Sequence, residues 1–301
     1  MDHRGRIAGR AELRRWMFLL NGFVLAAVLG WVSLLSAGDR TNGLLTLRDG
    51  LTSPNQPVRV EARLVQKGLL ADVSLGGEPL QLEVDGRPVA TAMTGGDGRA
   101  FFEYVPRVRG QSRMSVSVNG SPRVDADPAT GHLFVWERRR PILLVELTAV
   151  MERSDTDTSG FPNLPVGKPE VTLPDPLPEA ADELAKLTQY YYNVVYLVPG
   201  ERESAGAGSI ETVQRWLADH KFPLGYVLMA AAGSAGAGAV IDRFKQEGWT
   251  TLKSGVGRSR AFAEAFLERR LEVVLVPEPP KGDAPRKAKV AKDWKDVRKL
   301  L

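Results

Sequence analysis

A chain of 301 residues exceeds the usual single domain, and its 43% hydrophobic and 25% charged content is that of globular protein, which sets disorder aside. It contains no cysteine, excluding disulfides, thiolate metal ligands, a cysteine nucleophile and lipoprotein-type acylation; its three histidines, His3, His132 and His220, have no metal-ligand spacing. The formal net charge of +4 sits at one end, since residues 281–301 carry eight Lys/Arg against three Asp, and without a basic face interleaved with stacking aromatics nucleic acid is not an expected partner.

Residues 1–15 hold Arg4, Arg6, Arg10, Arg14 and Arg15 against Asp2 and Glu12. The following run, 16–37 (WMFLLNGFVLAAVLGWVSLLSA), has no charge. About 20 apolar helical residues cross a bilayer core, so this run predicts one membrane-spanning helix, with Trp16 and Trp31 suited to the interfaces. The arginines place residues 1–15 in the cytoplasm and everything after Gly38 outside it, on the outer side of a bacterial membrane. Ser36-Ala-Gly38 resembles a signal cleavage site, but the apolar run is longer than a signal core, which favours an uncleaved anchor.

Residues 38–56 read as a linker punctuated by Gly, Asn, Ser and Pro. From residue 57 the pattern becomes alternation: Val58, Val60, Ala62 and Leu64 are separated by Arg59, Glu61 and Arg63, the period of a half-buried strand. Further short segments at 69–75, 80–84, 89–94, 100–105, 114–118 and 133–136, with glycine turns at Asp85-Gly86 and 95–98, predict a β-sandwich over 57–138. Asp97 and Glu103 are read as turn and solvent-face residues rather than calcium ligands. The run VDGRPVATAMTGGDGRAFFEYVP resembles bacterial immunoglobulin-like modules, which implies a spacer or adhesive role.

After Arg138-Arg-Arg140 the rhythm changes again over 139–280. Buried strands are predicted at 142–147, 193–198, 225–230 and 272–276, and helices at 178–189, 210–220, 239–247 and 258–269. Alternating strand and helix predicts a parallel α/β sheet wound right-handedly. Two glycine-rich runs, 200–208 and 233–238, precede helices where free amides can hold an anion, although neither has a phosphate-loop pattern. A third segment, 162–178, carries proline every few residues and is expected to be extended. Residues 281–301 read as a basic tail.

The stretches PILLVELTAV and LPEAADELAKLTQYYYNVVYLVPGERE resemble the haloacid dehalogenase-like (HAD) superfamily, in the capless form found at the C-terminus of lipins and Nir-type phosphatidylinositol transfer proteins. The resemblance implies a Rossmannoid sheet whose first strand ends in Asp-x-Asp-Gly-Thr, the first Asp a nucleophile and the second a general acid/base. The matching positions hold Glu146 and Thr148, with Ala149 and Val150 after them. The family's hydroxyl position falls near Val198, its lysine corresponds to Lys253 or Arg258, and its late acidic metal ligands correspond to Glu278 and Asp283.

Phosphoryl transfer of this kind needs a carboxylate in line with phosphorus and a second to move the proton. Glu146 is one methylene too long, which moves the attacking oxygen by about an ångström, and Thr148 is no acid/base near neutral pH. The expectation is therefore a non-catalytic HAD-like domain, a pseudoenzyme with no cofactor, that binds or scaffolds an unknown protein or envelope partner from a single-pass membrane anchor. In the alternative reading, a hydrolase, Glu146 serves with Glu278 and Asp283 around magnesium and Thr148 and Lys253 occupy the remaining catalytic positions. A non-catalytic binder of phosphorylated lipid or glycan head groups is the third. The structural role open to Glu146 is to pair with an arginine or cap a helix.

Overall fold

The computed structural model describes residues 40–69, 71–153, 173–200 and 210–301. The expected span at 16–37, the glycine-rich run after Gly200 and residues 162–172 lie outside these. No helix among the described residues is long and apolar enough to cross a membrane.

The first unit comprises β1 (Thr41–Leu47), β2 (Gly50–Thr52), β3 (Val58–Gln66), β4 (Val73–Ser74), β5 (Pro79–Val84), β6 (Arg87–Met93), β7 (Arg99–Tyr104), β8 (Gly110–Val118), β9 (Val124–Ala126) and β10 (Ala129–Val135). They form two five-stranded sheets: β4-β3-β1-β9 with β7 also on β3, and β2-β10-β8-β5-β6. Val58, Val60, Ala62 and Leu64 share one core with Leu80, Leu82, Met114 and Val116 from the facing sheet. Asp85 and Gly86 both take positive φ, 50° and 73°, and close the two-residue hairpin between β5 and β6.

The linker expected over 38–56 is corrected, because β1 and β2 lie within it and belong to the sandwich. Its glycines look like turn punctuation but are strand positions with no room for a side chain. A Cβ on Gly43 would lie 2.8 Å from Leu64 Cδ1, and one on Gly50 2.9 Å from Leu133 Cδ1. The strand expected at 69–75 shrinks to β4, with Leu69 fully exposed.

The second unit is a six-stranded parallel sheet of β11 (Ile142–Glu146), β12 (Asn193–Pro199), β13 (Tyr226–Ala230), β14 (Leu252–Gly257), β15 (Glu272–Leu275) and β16 (Lys289–Val290). Their order is β13-β12-β11-β14-β15-β16. Helices α1 (Ala180–Tyr190), α2 (Ile210–Asp219) and α5 (Trp294–Leu300) cover one face through Leu184, Leu187, Val213, Trp216, Trp294 and Val297. Helices α3 (Ser234–Gln246) and α4 (Arg260–Glu268) cover the other through Val240, Phe244, Phe262 and Phe266. The chain winds outward from β11 one way, then returns to β14 and winds outward the other way. Doubly wound sheets hold ligands at this reversal, outside the strand carboxyl ends.

Three expectations are corrected in this unit. Strand β14 (LKSGVG) lies between the two helices expected at 239–247 and 258–269. The run 233–238 is mostly helix, since α3 begins at Ser234. The basic tail 281–301 is not an appendage: β16 extends the sheet, and Ala291, Trp294 and Val297 are buried in the core beneath α5. Its lysines and arginines mask an apolar stripe that anchors the chain end.

The two units share contacts. Phe134 and Trp136 leave the sandwich to pack with Tyr226 and Trp249, at 5.8 and 6.3 Å between ring centroids, and Arg138 Nη1 donates to Glu247 O at 2.7 Å. Asp49 accepts from His132 N at 2.7 Å and, across the interface, from Gln214 Nε2 at 2.6 Å. Burial pushes the Asp49 carboxyl above its ordinary value of 3.8; Glu211 adds to this, while the His132 backbone bond, the His132 ring and Gln214 oppose it.

Replacing Trp294 by Ala is expected to cost about 3–5 kcal/mol in denaturant unfolding, whereas removal of a solvated tail side chain costs nothing measurable. Because the folded Asp49 holds its proton more tightly than the unfolded chain, its contribution is complete below pH 3.8 and is lost as pH rises through the folded value. On lowering from about pH 6 to about pH 4, the wild-type chain should gain stability relative to Asp49→Asn in matched urea melts.

Candidate functional site

Glu146 ends β11 at the reversal point, and its side chain is 6% exposed. Its Oε2 accepts from the backbone N–H groups of Arg258 and Ser259 at 2.7 and 2.8 Å, and its Oε1 accepts from Ser259 Oγ at 2.6 Å. Ser259 is also the N-cap of α4, its Oγ accepting from Phe262 N at 3.1 Å. The carboxylate thus fills the helix N-terminus, where the dipole and unpaired amides would otherwise attract an anion.

Helix α4 comes this close because β14 is glycine-rich. A Cβ on Gly255 would stand 2.4 Å from Phe266 Cζ, and one on Gly257 2.2 Å from Phe262 Cδ1. The two rings lie directly on the sheet and set the depth of the helix.

Beyond Glu146 the chain turns through the 3-10 segment Leu147–Val150, with Leu147, Ala149 and Val150 buried and Thr148 partly so. Three separate parts of the chain hold this turn. Trp294 Nε1 donates to Ala149 O at 3.0 Å, Arg258 Nη2 donates to Met151 O, and Leu177 N donates to Val150 O at 2.8 Å. The last comes from the end of the proline-rich connection, which is strapped down again where Trp216 Nε1 donates to Pro174 O at 3.0 Å. Burial pulls the Arg258 guanidinium below its ordinary value; Arg153 adds to this and Glu146 opposes it.

Of the two basic candidates, Arg258 follows β14 at the site. Lys253 lies at the other end, as the extra residue where the β11–β14 register shifts, and is exposed. Four steps along the strand separate it from Gly257, about 13 Å. Glu278 and Asp283 are both exposed on the loop after β15. Among the described residues no group of three His, Cys, Asp or Glu can hold a metal ion. The expected trio of Glu146, Glu278 and Asp283 is therefore not assembled, and both Glu146 oxygens are already engaged. Magnesium does not fit this donor set.

The 233–238 run is explained by packing. A Cβ on Gly236 would stand 1.8 Å from Ala231 O, and one on Gly238 2.5 Å from Arg269 Nη2, the guanidinium that pairs with Asp242 at 2.6 Å. The residue that sequence reasoning missed is Ser259; a Ser directly before an amphipathic helix is a capping signal that was available.

No protein-family model and no curated protein matches the chain. Among solved structures, the CARDB domain of the Pyrococcus furiosus PF1109 protein, in complex with di-metal ions, is similar over 31% of this chain and 90% of its own, at 15% identity and TM-score 0.23. D,D-heptose 1,7-bisphosphate phosphatase from B. bronchiseptica, complexed with magnesium and phosphate, is similar over 53% of this chain and 96% of its own, at 18% identity and TM-score 0.39. Fibronectin(III)-like modules of Clostridium thermocellum CbhA are similar over 31% and 94%, at 16% identity and TM-score 0.22. The architecture itself, a β-sandwich joined to a doubly wound parallel sheet, rests on the strand order.

Glu146→Ala should cost about 2–4 kcal/mol, because two amides and a hydroxyl lose a charged acceptor. Added phosphate should return part of the lost melting temperature in Glu146→Ala and leave the wild-type chain unchanged. Gly257→Ala should destabilise by about 1–3 kcal/mol by lifting Phe262 and α4 off the sheet.

Proposed function

We propose that the chain is a binding or scaffolding protein of the bacterial cell envelope, held by residues 16–37, whose HAD-like unit performs no phosphoryl transfer. The observation that carries this reading is the engagement of Glu146. A nucleophile must present a free oxygen to phosphorus, whereas both oxygens here cap α4. The position two residues on is Thr148, inside a turn pinned by Trp294, Arg258 and Leu177, and a hydroxyl there does not move a proton as a second carboxylate would. The sandwich and the α/β unit share an aromatic interface, which suits a rigid presenting surface better than a hinged enzyme.

The test is to incubate the full chain, purified in detergent, with magnesium and a panel of phosphoesters. No turnover above the Glu146→Ala variant is expected, and turnover that the variant abolishes would overturn the reading. For the anchor, the full chain should remain with membranes after carbonate washing, and its release into the supernatant would count against residues 16–37 as a span.

A further inference from the structure

At the sheet end opposite Glu146, a cavity of about 710 Å³ opens between the two units. It faces the amino ends of β11, β12 and β13 on one side and the start of β8 and end of β10 on the other. Its size is that of a site for a small organic molecule. Arg109, Gln111, Glu137, Arg140, Gln189 and Asn193 supply its polar wall.

Arg140 carries the argument. Its Nη2 donates to Tyr192 O at 3.2 Å and to Thr188 O, the carbonyls leaving α1. Its Nε is buried with no partner, and no carboxylate among the described residues pairs with it. Beside it, Asn193 bonds Pro141 O through its backbone N–H at 2.8 Å, while its side-chain Nδ2 is likewise buried without a partner. Glu137, the one acid in the wall, is engaged by Arg109 at 2.5 Å. A half-buried cation and an amide, both short of acceptors, thus line one cavity. Unmet donors of this kind are costly to keep, and a carboxylate matches a guanidinium fork with two oxygens.

From this geometry we infer that the inter-domain cavity binds a small carboxylate-bearing molecule, anchored by Arg140 and Asn193 after a small rotation of the two side chains. The site is independent of the Glu146 crevice and of any membrane anchor.

Titration calorimetry on the full chain in detergent, with D-glucuronate and citrate as carboxylate probes and D-glucose and inorganic phosphate as controls, tests the assignment. A saturable heat is expected for at least one carboxylate and for neither control. Asn193→Leu should weaken that binding about tenfold while leaving the unliganded melting temperature unchanged or raised, since it removes an unmet donor. Arg140→Gln should weaken it at least as much. Absence of saturable carboxylate binding, equal binding of glucose or phosphate, or binding untouched by Asn193→Leu would each overturn the site. A merely structural Asn193 would instead lower the melting temperature on substitution and leave binding unaltered.

Discussion

The α/β unit depends on one carboxylate at one helix end. Glu146 leaves β11 where the sheet reverses direction, and the backbone amides that open α4 converge on it. In a doubly wound fold those amides are the ready-made anion site. Here the anion is covalently part of the protein, because the Glu146 side chain reaches the N-terminus of α4.

The surroundings of that contact reinforce it. Gly255 and Gly257 let Phe266 and Phe262 lie on the strand, which brings α4 within reach of Glu146. The turn after Glu146 is held from the residue that follows β14, from the end of the proline-rich connection and from the C-terminal helix, segments spread over more than a hundred residues of the chain. Such fastening raises the cost of local opening, because the turn cannot move without breaking contacts from three elements.

Sequence patterning exposed most of this architecture, and its misses share a cause. Val58–Val60–Ala62–Leu64 and the run at Ile142 announced themselves by period. Gly43, Gly50, Gly255 and Gly257 hid their strands, because glycine reads as punctuation along the chain although neighbouring side chains demand it in space. With β14 unseen, Arg258 and Ser259 could not be placed beside Glu146, so helix capping remained one option among several. In the tail, abundant lysine and arginine obscured Ala291, Trp294 and Val297, whose spacing fits burial against the sheet. Charge counts describe the solvent side of a helix and are silent about the other side.

The two ends of the parallel sheet are electrostatically unlike. At the carboxyl end, each Glu146 oxygen has its donors. At the amino end, Arg140 and Asn193 line the cavity and each retains a buried unmet donor, and the sandwich supplies the facing wall. Binding free energy comes from groups that the protein alone leaves unsatisfied, so such a difference decides where a ligand gains most. Joining a second unit to the α/β unit created the cleft at this end, with walls from both.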